Sequence, residues 1–305
     1  MIVDAHMHIW NRVHGKIANS TPVAPLGNGK IQIGDQEMLG MPPYLLDCAA
    51  RAEYGVAEFD AAGVECGVVV QEYLDGEQNH YLLEVLGEYP GRFFMHGLPN
   101  FFDADHVEHE SNALFDLGFR GLKIPAGHLL GQVRLDDRRF MPIWERMEEK
   151  GFILSVDLSE GEGQVAEMET ILKGLPKLRV AIGHFGMSNR RGWPGQLLLA
   201  RYENVYIEGG GLIWLYRAEG FPFPGAIEAI LKAKSEVGIE KLMWGSDWPR
   251  TMVDFTYRQS LDFVRESTQL TEGEKSLFLG RNAARLYGLE EPLEERAPMP
   301  LITEG

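Results

Sequence analysis

The sequence predicts an α/β protein built as a (β/α)8 TIM barrel, in which eight parallel strands alternate with helices. Eight short apolar runs recur, and after the first their starts lie roughly 26 to 37 residues apart, the length of a strand, a helix and two loops. Most runs are continuously apolar, as is typical of strands buried on both faces. Segments with helical periodicity separate the runs, and no break in composition divides the chain.

The eight predicted strands follow one another through the whole chain. Their ranges are 2–8, 66–71, 93–98, 121–124, 152–157, 179–184, 205–208 and 242–247. A doubly wound open sheet is the competing α/β fold, but it places a glycine-rich turn after a strand. No G-x-G-x-x-G follows a predicted strand here, so the barrel is favoured.

Helical patterns fill the intervals between the strands. The clearest lie at 140–150, 226–237 and 275–287. The first of these has apolar residues on one side and charges on the other, and it stops at Gly151. Thr271 and Glu274 have the spacing of a capping box, which marks the start of the last helix.

One barrel accounts for residues 1–288, and two segments lie outside the repeat. Residues 11–46 are rich in Gly, Pro and Asn and form a long loop after the first strand. We expect this loop to cover the site, and a disordered surface insertion is the alternative. Residues 289–305 are predicted to be a C-terminal tail, either frayed or packed on a second subunit of a homo-oligomer.

The composition excludes several classes of protein. Lys and Arg number 29 against 45 Asp and Glu, and the net charge of −16 argues against nucleic acid or an anionic membrane as partner. Two cysteines, Cys48 and Cys66, are too few for a disulfide scaffold or a cysteine zinc cluster, and we expect both to be reduced. No apolar stretch reaches the length of a membrane span and no signal peptide precedes the first strand, so a cytoplasmic protein is predicted.

Polar side chains stand at the ends of the predicted strands, where a barrel has its active face. His6 and His8 end the first strand, and residues two apart on a strand point to the same side. His184 ends the sixth strand and Asp247 the eighth. Imidazoles either bind a divalent metal, most simply zinc, or polarise a carbonyl, and a carboxylate takes a proton from water. The alternatives are a chance surface pair of histidines, a structural His184 and a helix-capping Asp247.

Six motifs of the chain resemble the amidohydrolase superfamily, specifically the amidohydrolase-related (amidohydrolase 2) branch with its sugar-lactone and 2-pyrone-4,6-dicarboxylate lactonases. They are DAHMHIW (4–10), NHYLLEVLGEYPGRF (79–93), FRGLKIP (119–125), GHFG (183–186), MWGSDWP (243–249) and NAARLYGL (282–289). The resemblance implies a (β/α)8 barrel with Asp247 as the base that activates water. It also implies that His6, His8 and His184 bind either a metal or the substrate carbonyl.

One departure from the family's pattern concerns the metal. Metal-dependent members usually carry a histidine at the end of the fifth strand, where this chain has Asp157. The departure argues against a binuclear site. It leaves two alternatives open, namely a mononuclear site built from His6, His8, Asp247 and His184, and a metal-free site in which the histidines hydrogen-bond the carbonyl.

The leading prediction is therefore a hydrolase that opens a lactone, a small cyclic ester. A metal-dependent non-oxidative decarboxylase of the same superfamily is the second hypothesis, and a catalytically inactive binding barrel is the third. Lys123 and Arg250 are expected to bind an anionic substrate, with a salt bridge inside the barrel and helix packing as their respective alternatives. The full set of predicted substrate-binding residues is Gln71, Asn100, Lys123, His128, Glu208, Trp214 and Arg250.

Overall fold

The computed structural model describes residues 1–159 and 163–289. Twelve strands lie within these residues. They are β1 (Val3–Met7), β2 (Lys16–Ile17), β3 (Thr21–Gly27), β4 (Lys30–Ile33), β5 (Gln36–Leu39), β6 (Cys66–Val69), β7 (Phe93–Met95), β8 (Gly121–Ile124), β9 (Ile153–Val156), β10 (Arg179–Ile182), β11 (Val205–Gly209) and β12 (Leu242–Trp244). Of these, β1 and β6 to β12 correspond in order to the eight predicted strands.

The eight strands close into a barrel. Parallel pairing runs through β1, β6 and β7 and separately through β8 to β12. Parallel bridges from Gly97 to Leu122 and from Met7 to Trp248 join the two arcs at both seams. The predicted (β/α)8 fold is therefore confirmed.

Helices surround the barrel and close its amino end. They are α1 (Ala52–Ala62), α2 (Asn79–Glu88), α3 (Val107–Leu117), α4 (Met141–Lys150), α5 (Gly163–Gly174), α6 (Trp193–Leu198), α7 (Leu212–Leu215), α8 (Pro224–Val237), α9 (Tyr257–Arg265), α10 (Glu272–Ser276) and α11 (Asn282–Tyr287). The predicted capping box is confirmed, since the Thr271 side chain accepts from Glu274 N and the Glu274 carboxylate accepts from Thr271 N. A π-helical turn at Leu277–Arg281 joins α10 to α11, so the last predicted helix is continuous but not uniform.

Residues 16–39 form an antiparallel sheet in the order β2, β3, β4 and β5, so the expectation of a loop is wrong for this stretch. Asn28 and Gly29 form the two-residue turn between β3 and β4, with φ of 52° and 74°. Asn-Gly is the preferred pair for such a hairpin because both positions need positive φ. The sequence therefore contains a hairpin signal inside the long insertion.

The barrel interior is closed at its amino end by α11. The Tyr287 ring lies 4.8 Å from the ring of Phe94 and 5.8 Å from that of His96. Because this packing closes the amino end of the barrel, the open end is the one at the carboxyl ends of the strands, where the predicted site residues lie. Cys48 and Cys66 are buried and unbridged.

Residues 290–305 of the predicted tail lie outside the described residues. Among the helices of residues 1–159 and 163–289, none is both long and apolar enough to cross a membrane.

Candidate active site

A cavity of about 410 Å³ opens at the carboxyl ends of the barrel strands, and His8, His184 and Asp247 line it. We call this cavity the mouth. A larger groove of about 970 Å³ lies outside the barrel against α2 and α3, and its described lining is largely apolar and includes none of these three residues. The chemistry is therefore concentrated at the mouth, which is the candidate active site despite its smaller volume.

His6 and His8 point to the same side, as the spacing predicts, and their Nε2 atoms are 3.3 Å apart. The backbone register of β1 shifts between Asp4 and Met7. Asp4 consequently lies apart from the two imidazoles and accepts hydrogen bonds from Ser246 and Tyr257. This buried network ties the start of β1 to the residue that precedes Asp247.

The second nitrogen of each imidazole has a partner that fixes the ring. His8 Nδ1 donates to the Val70 carbonyl at 3.0 Å, which leaves a lone pair on Nε2 of the neutral ring. His6 Nδ1 lies 2.5 Å from Glu208 Oε1, and both side chains are buried. One proton lies between these two atoms, and when it resides on Nδ1, the Nε2 lone pair of His6 is free to bind a metal.

Asp247 completes a cluster of three electron-pair donors. Its Oδ1 lies 2.9 Å from His8 Nε2 and 3.8 Å from His6 Nε2. Three acceptors this close repel one another unless a cation, either a proton or a metal, lies among them. Ligands held about 2.0–2.1 Å from a tetrahedral zinc lie about 3.3 Å from one another, so the observed triangle matches one face of such a site.

His184 lies beside this cluster rather than in it. Its ring is 4.7 Å from the ring of His6, its Nδ1 donates to the Gly210 carbonyl at 3.0 Å, and its Nε2 lies 3.5 Å from Asp157 Oδ2. Burial opposes its charge, but the carboxylates led by Asp157 raise the pKa of His184 to about 10. An imidazolium has no lone pair for a metal, so this geometry makes His184 a hydrogen-bond donor and argues against the predicted fourth ligand.

The backbone at the mouth is strained at two of the predicted residues. His184 has a φ of 51° and Asp247 a φ of 57°, in the left-handed region that residues other than glycine seldom adopt.

Gly210 lies against His6, since a Cβ at that position would be 2.5 Å from the His6 Cγ. The glycines that follow β11 therefore allow close packing around the site rather than simply bending the chain.

Three predicted substrate-binding residues are engaged within the protein. Lys123 is fully buried with its Nζ 2.6 Å from Asp157 Oδ1, so the alternative of a salt bridge inside the barrel is correct and direct contact with a substrate carboxylate is wrong. Glu208 is likewise buried and orients His6 instead of facing the mouth. Arg250 lines the mouth, but its guanidinium pairs with Asp75 and donates to the Gly40 carbonyl at 2.9 Å.

Three other predicted residues lie away from the mouth. Gln71 is buried. Its Nε2 donates to Asn79 Oδ1 and to the His96 carbonyl, and its Oε1 accepts from Gln78 N, so the side chain holds the chain beyond β6 in place. Asn100 lines the larger groove outside the barrel. Trp214 is 38% exposed, lies under Arg217 and is not among the residues that line the mouth.

His128 does line the mouth, as predicted, and its Nε2 is 3.9 Å from Glu72 Oε2. Sequence reasoning missed Glu72 because it extended the second strand through Gln71 and assigned alternate residues to the mouth. β6 ends at Val69, and beyond it the alternation no longer holds. Ile17 of β2 also reaches the mouth, so the insertion contributes to its wall.

A (β/α)8 barrel with histidines and an aspartate at the open end defines a hydrolytic class of enzyme. A model of the amidohydrolase family matches residues 3–289, and the chain belongs to that family. It is 25% identical to an L-fucono-1,5-lactonase of Burkholderia ambifaria over an alignment that covers 95% of this chain and 96% of the relative.

Solved structures share the fold. An amidohydrolase from Burkholderia multivorans with bound zinc has a TM-score of 0.70 at 18% identity and covers 94% of this chain and 99% of its own. A probable 2-pyrone-4,6-dicarboxylic acid hydrolase from Acinetobacter baumannii, with citric acid bound, has a TM-score of 0.69 at 19% identity and the same coverage. A 2,6-dihydroxybenzoate decarboxylase from Rhizobium has a TM-score of 0.60 at 16% identity and covers 81% of this chain and 90% of its own.

Proposed function

We propose that this protein is a hydrolase that opens a lactone at the mouth of the barrel, with Asp247 as the base. The observation that carries the proposal is the position of the Asp247 carboxylate, which lines the same cavity as His8 and His184 and lies 2.9 Å from His8 Nε2. The lactonase relative that spans almost the whole chain supports the same reaction class.

We assign one divalent cation, zinc, to His6, His8 and Asp247. The three electron-pair donors and the fixed second nitrogens of the imidazoles support this assignment, as does the zinc in the Burkholderia multivorans structure. A zinc ion bound there supplies Lewis-acid polarisation of a carbonyl and lowers the pKa of a water molecule. Asp157, which lies toward Lys123 and His184, is not assigned to the metal.

The residues of the chain then divide the reaction between them. Asp247 takes a proton from water as the water oxygen bonds to the carbonyl carbon. The positive charge of the protonated His184 ring stabilises the negative charge that develops on the carbonyl oxygen. The bond from this carbon to the ring oxygen then breaks, and a hydroxy acid is released.

The charges around the mouth favour a neutral, hydroxylated lactone over an anionic one. Lys123 and Arg250, the cations assigned to an anionic substrate, are paired with Asp157 and Asp75. Glu72 and His128 add polar groups that suit substrate hydroxyls. For the same reason Lys123 and Arg250 are not free to bind the carboxylate of an aryl acid, as the decarboxylase hypothesis would need. Cytoplasmic location and a homo-oligomer stay predictions.

Asp247→Asn tests the assignment of the base. With a panel of sugar-acid and simple δ-lactones, we expect the variant to lose about 10²- to 10⁴-fold in kcat, because the amide cannot take the proton. Its circular dichroism spectrum should match that of the wild type. The control is Asp254→Asn, at an exposed position a few residues along the chain, which should keep full activity. Near-normal kcat in Asp247→Asn would contradict the mechanism, and binding without turnover by the wild type would favour the inactive barrel.

A further inference from the structure

Two apolar side chains at the mouth, Ile17 and Leu74, take no part in the reaction above. Ile17 belongs to β2 of the insertion, and Leu74 lies in the loop that follows β6. Both line the cavity, and both are only partly buried against the hydrophobic core. We call this pair the apolar wall. A substrate group that covers it removes apolar surface from water and is bound more tightly for that reason.

The apolar wall lies across the mouth from His184. Leu74 follows β6, the second strand of the barrel, and the backbone of β2 is fixed to the same loop, since Lys16 N donates to the Tyr73 carbonyl at 2.9 Å. His184 follows β10, the sixth strand, and the second and sixth strands of an eight-stranded barrel are opposite each other. In the proposed reaction, the charge of His184 stabilises the carbonyl oxygen. The lactone ring lies on the other side of the carbonyl carbon and therefore extends toward the apolar wall.

Arg250 fixes the end of the insertion sheet to the barrel. Its guanidinium donates to the Gly40 carbonyl at 2.9 Å, pairs with the buried carboxylate of Asp75 and lies 5.1 Å from the centre of the Trp10 ring. Gly40 follows β5, and its N–H donates to the Gly29 carbonyl, in the turn between β3 and β4, at 2.9 Å. One side chain therefore holds together the insertion sheet and the segments that follow β1, β6 and β12.

Asp75 connects this contact to the apolar wall. Its carboxylate pairs with Arg250, and its carbonyl accepts from His14 N, two residues before β2, at 2.9 Å. An added Cβ at Gly15 would collide with the Tyr73 carbonyl oxygen, so the start of β2 packs closely on this loop. A planar guanidinium offers several donors in fixed directions, which suits it to hold a carboxylate and a carbonyl at once. The position of the apolar wall therefore depends on Arg250.

We propose that the apolar wall selects lactones with an apolar substituent on the ring carbons remote from the carbonyl, and that Arg250 positions the wall; this inference rests on the proposed lactone hydrolysis. Ile17 contacts the substituent, whereas Arg250 acts through Asp75 and the insertion. Because the wall exchanges no proton with the substrate, it binds the substrate and the transition state equally. Its loss should therefore raise KM and leave kcat unchanged.

Steady-state kinetics on two δ-lactones that differ by one methyl group test the proposal. They are δ-valerolactone and γ-methyl-δ-valerolactone, in which the methyl group is on the ring carbon opposite the carbonyl carbon. We expect the wild type to prefer the methylated lactone by about tenfold in kcat/KM, through a lower KM. Ile17→Ala and Arg250→Met should each reduce this preference to about threefold or less. The double variant should lose no more than either single variant, because both substitutions act on one contact.

Leu26→Ala and Arg258→Met are the matched controls, at exposed positions of β3 and α9 that do not line the mouth, and both should keep the wild-type preference. Equal kcat/KM of the wild type on the two lactones would show that the apolar wall does not contact the substituent. A preference that persists in Arg250→Met, or equal losses of kcat on both lactones in that variant, would show that Arg250 does not position the wall. Either result overturns the proposal.

A second variant covers the case in which Arg250→Met does not fold. Arg250→Lys keeps a charge opposite Asp75 without the fork of donors and should lose part of the preference, and an unchanged preference there would overturn the role of Arg250. If the wild type opens only a sugar lactone, that lactone is compared with its 6-deoxy form, which should be preferred by the wild type and not by Ile17→Ala. A wild type that opens no simple or sugar lactone would overturn the proposed function itself.

Discussion

Replacing Glu208 by glutamine should weaken metal binding at the mouth, although Glu208 is not assigned as a metal ligand. The carboxylate accepts from two buried groups at once, His6 Nδ1 at 2.5 Å on Oε1 and Gly210 N at 2.7 Å on Oε2. Glutamine offers one acceptor oxygen and places an NH₂ group where the other stood. One buried N–H is then left facing a donor, which costs about 1–3 kcal/mol.

The expected magnitude in metal affinity follows from this geometry. Loss of a carboxylate that orients a ligating histidine typically reduces metal affinity or activity by about 10- to 100-fold, which is about 1.4–2.8 kcal/mol. The two estimates agree because the same hydrogen bond underlies both. Zinc affinity is measured by competition with a chromophoric chelator, and kcat is measured after the metal is restored in excess.

The controls separate metal binding from folding. Glu228→Gln, at an exposed position of α8, removes the same charge from the molecule and should leave zinc affinity unchanged. Wild-type protein stripped by chelator should lose its turnover and regain it with zinc. A folded Glu208→Gln variant whose zinc affinity lies within twofold of the wild type would refute the role of Glu208 and weaken the metal assignment.

Two further predictions concern the scaffold. Gly183→Ala places a Cβ 1.8 Å from Asp157 Oδ1, so we expect it to lower both Tm and activity. The control is Gly174→Ala, where a Cβ has nothing within 4 Å. It should leave Tm unchanged or raise it slightly in the same thermal scan. Asp4→Ala leaves the donors of Ser246 and Tyr257 without their acceptor. We expect it to lower the free energy of unfolding, measured with urea, by about 3 kcal/mol or more. A decrease below about 1 kcal/mol would contradict the role of Asp4 as the shared acceptor.

Most of the fold follows from local pattern. Continuous apolar runs separated by helical segments predict eight parallel strands, because a strand covered by helices on one face and by the barrel interior on the other has no polar side. The same reasoning places His6 and His8 together. The antiparallel sheet of the insertion was not predicted, because its strands are largely exposed, although Asn28-Gly29 and Gly34-Asp35 mark two-residue turns between them.

The errors at Gln71 and Trp214 have one physical cause, which is that alternation holds only inside a strand. β6 ends at Val69, so Gln71 turns inward to bond the backbone of its neighbours and Glu72 takes the place at the mouth. The exposure of Trp214 has the same origin, since it lies on the short helix α7 beyond β11. Side chains past a strand end are directed by loop geometry, which the residue pattern does not encode.

By itself the sequence determined the eight barrel strands and the histidine and aspartate side chains at their open end, because both depend on residues close together along the chain. Only the tertiary structure decided how the charges pair. His6 and Glu208 are 202 residues apart, and Arg250 and Asp75 are 175 apart. Closure of the barrel brings these partners into contact in a buried setting, where an unpaired charge is costly. That pairing separates residues that face the substrate from those that hold them in place.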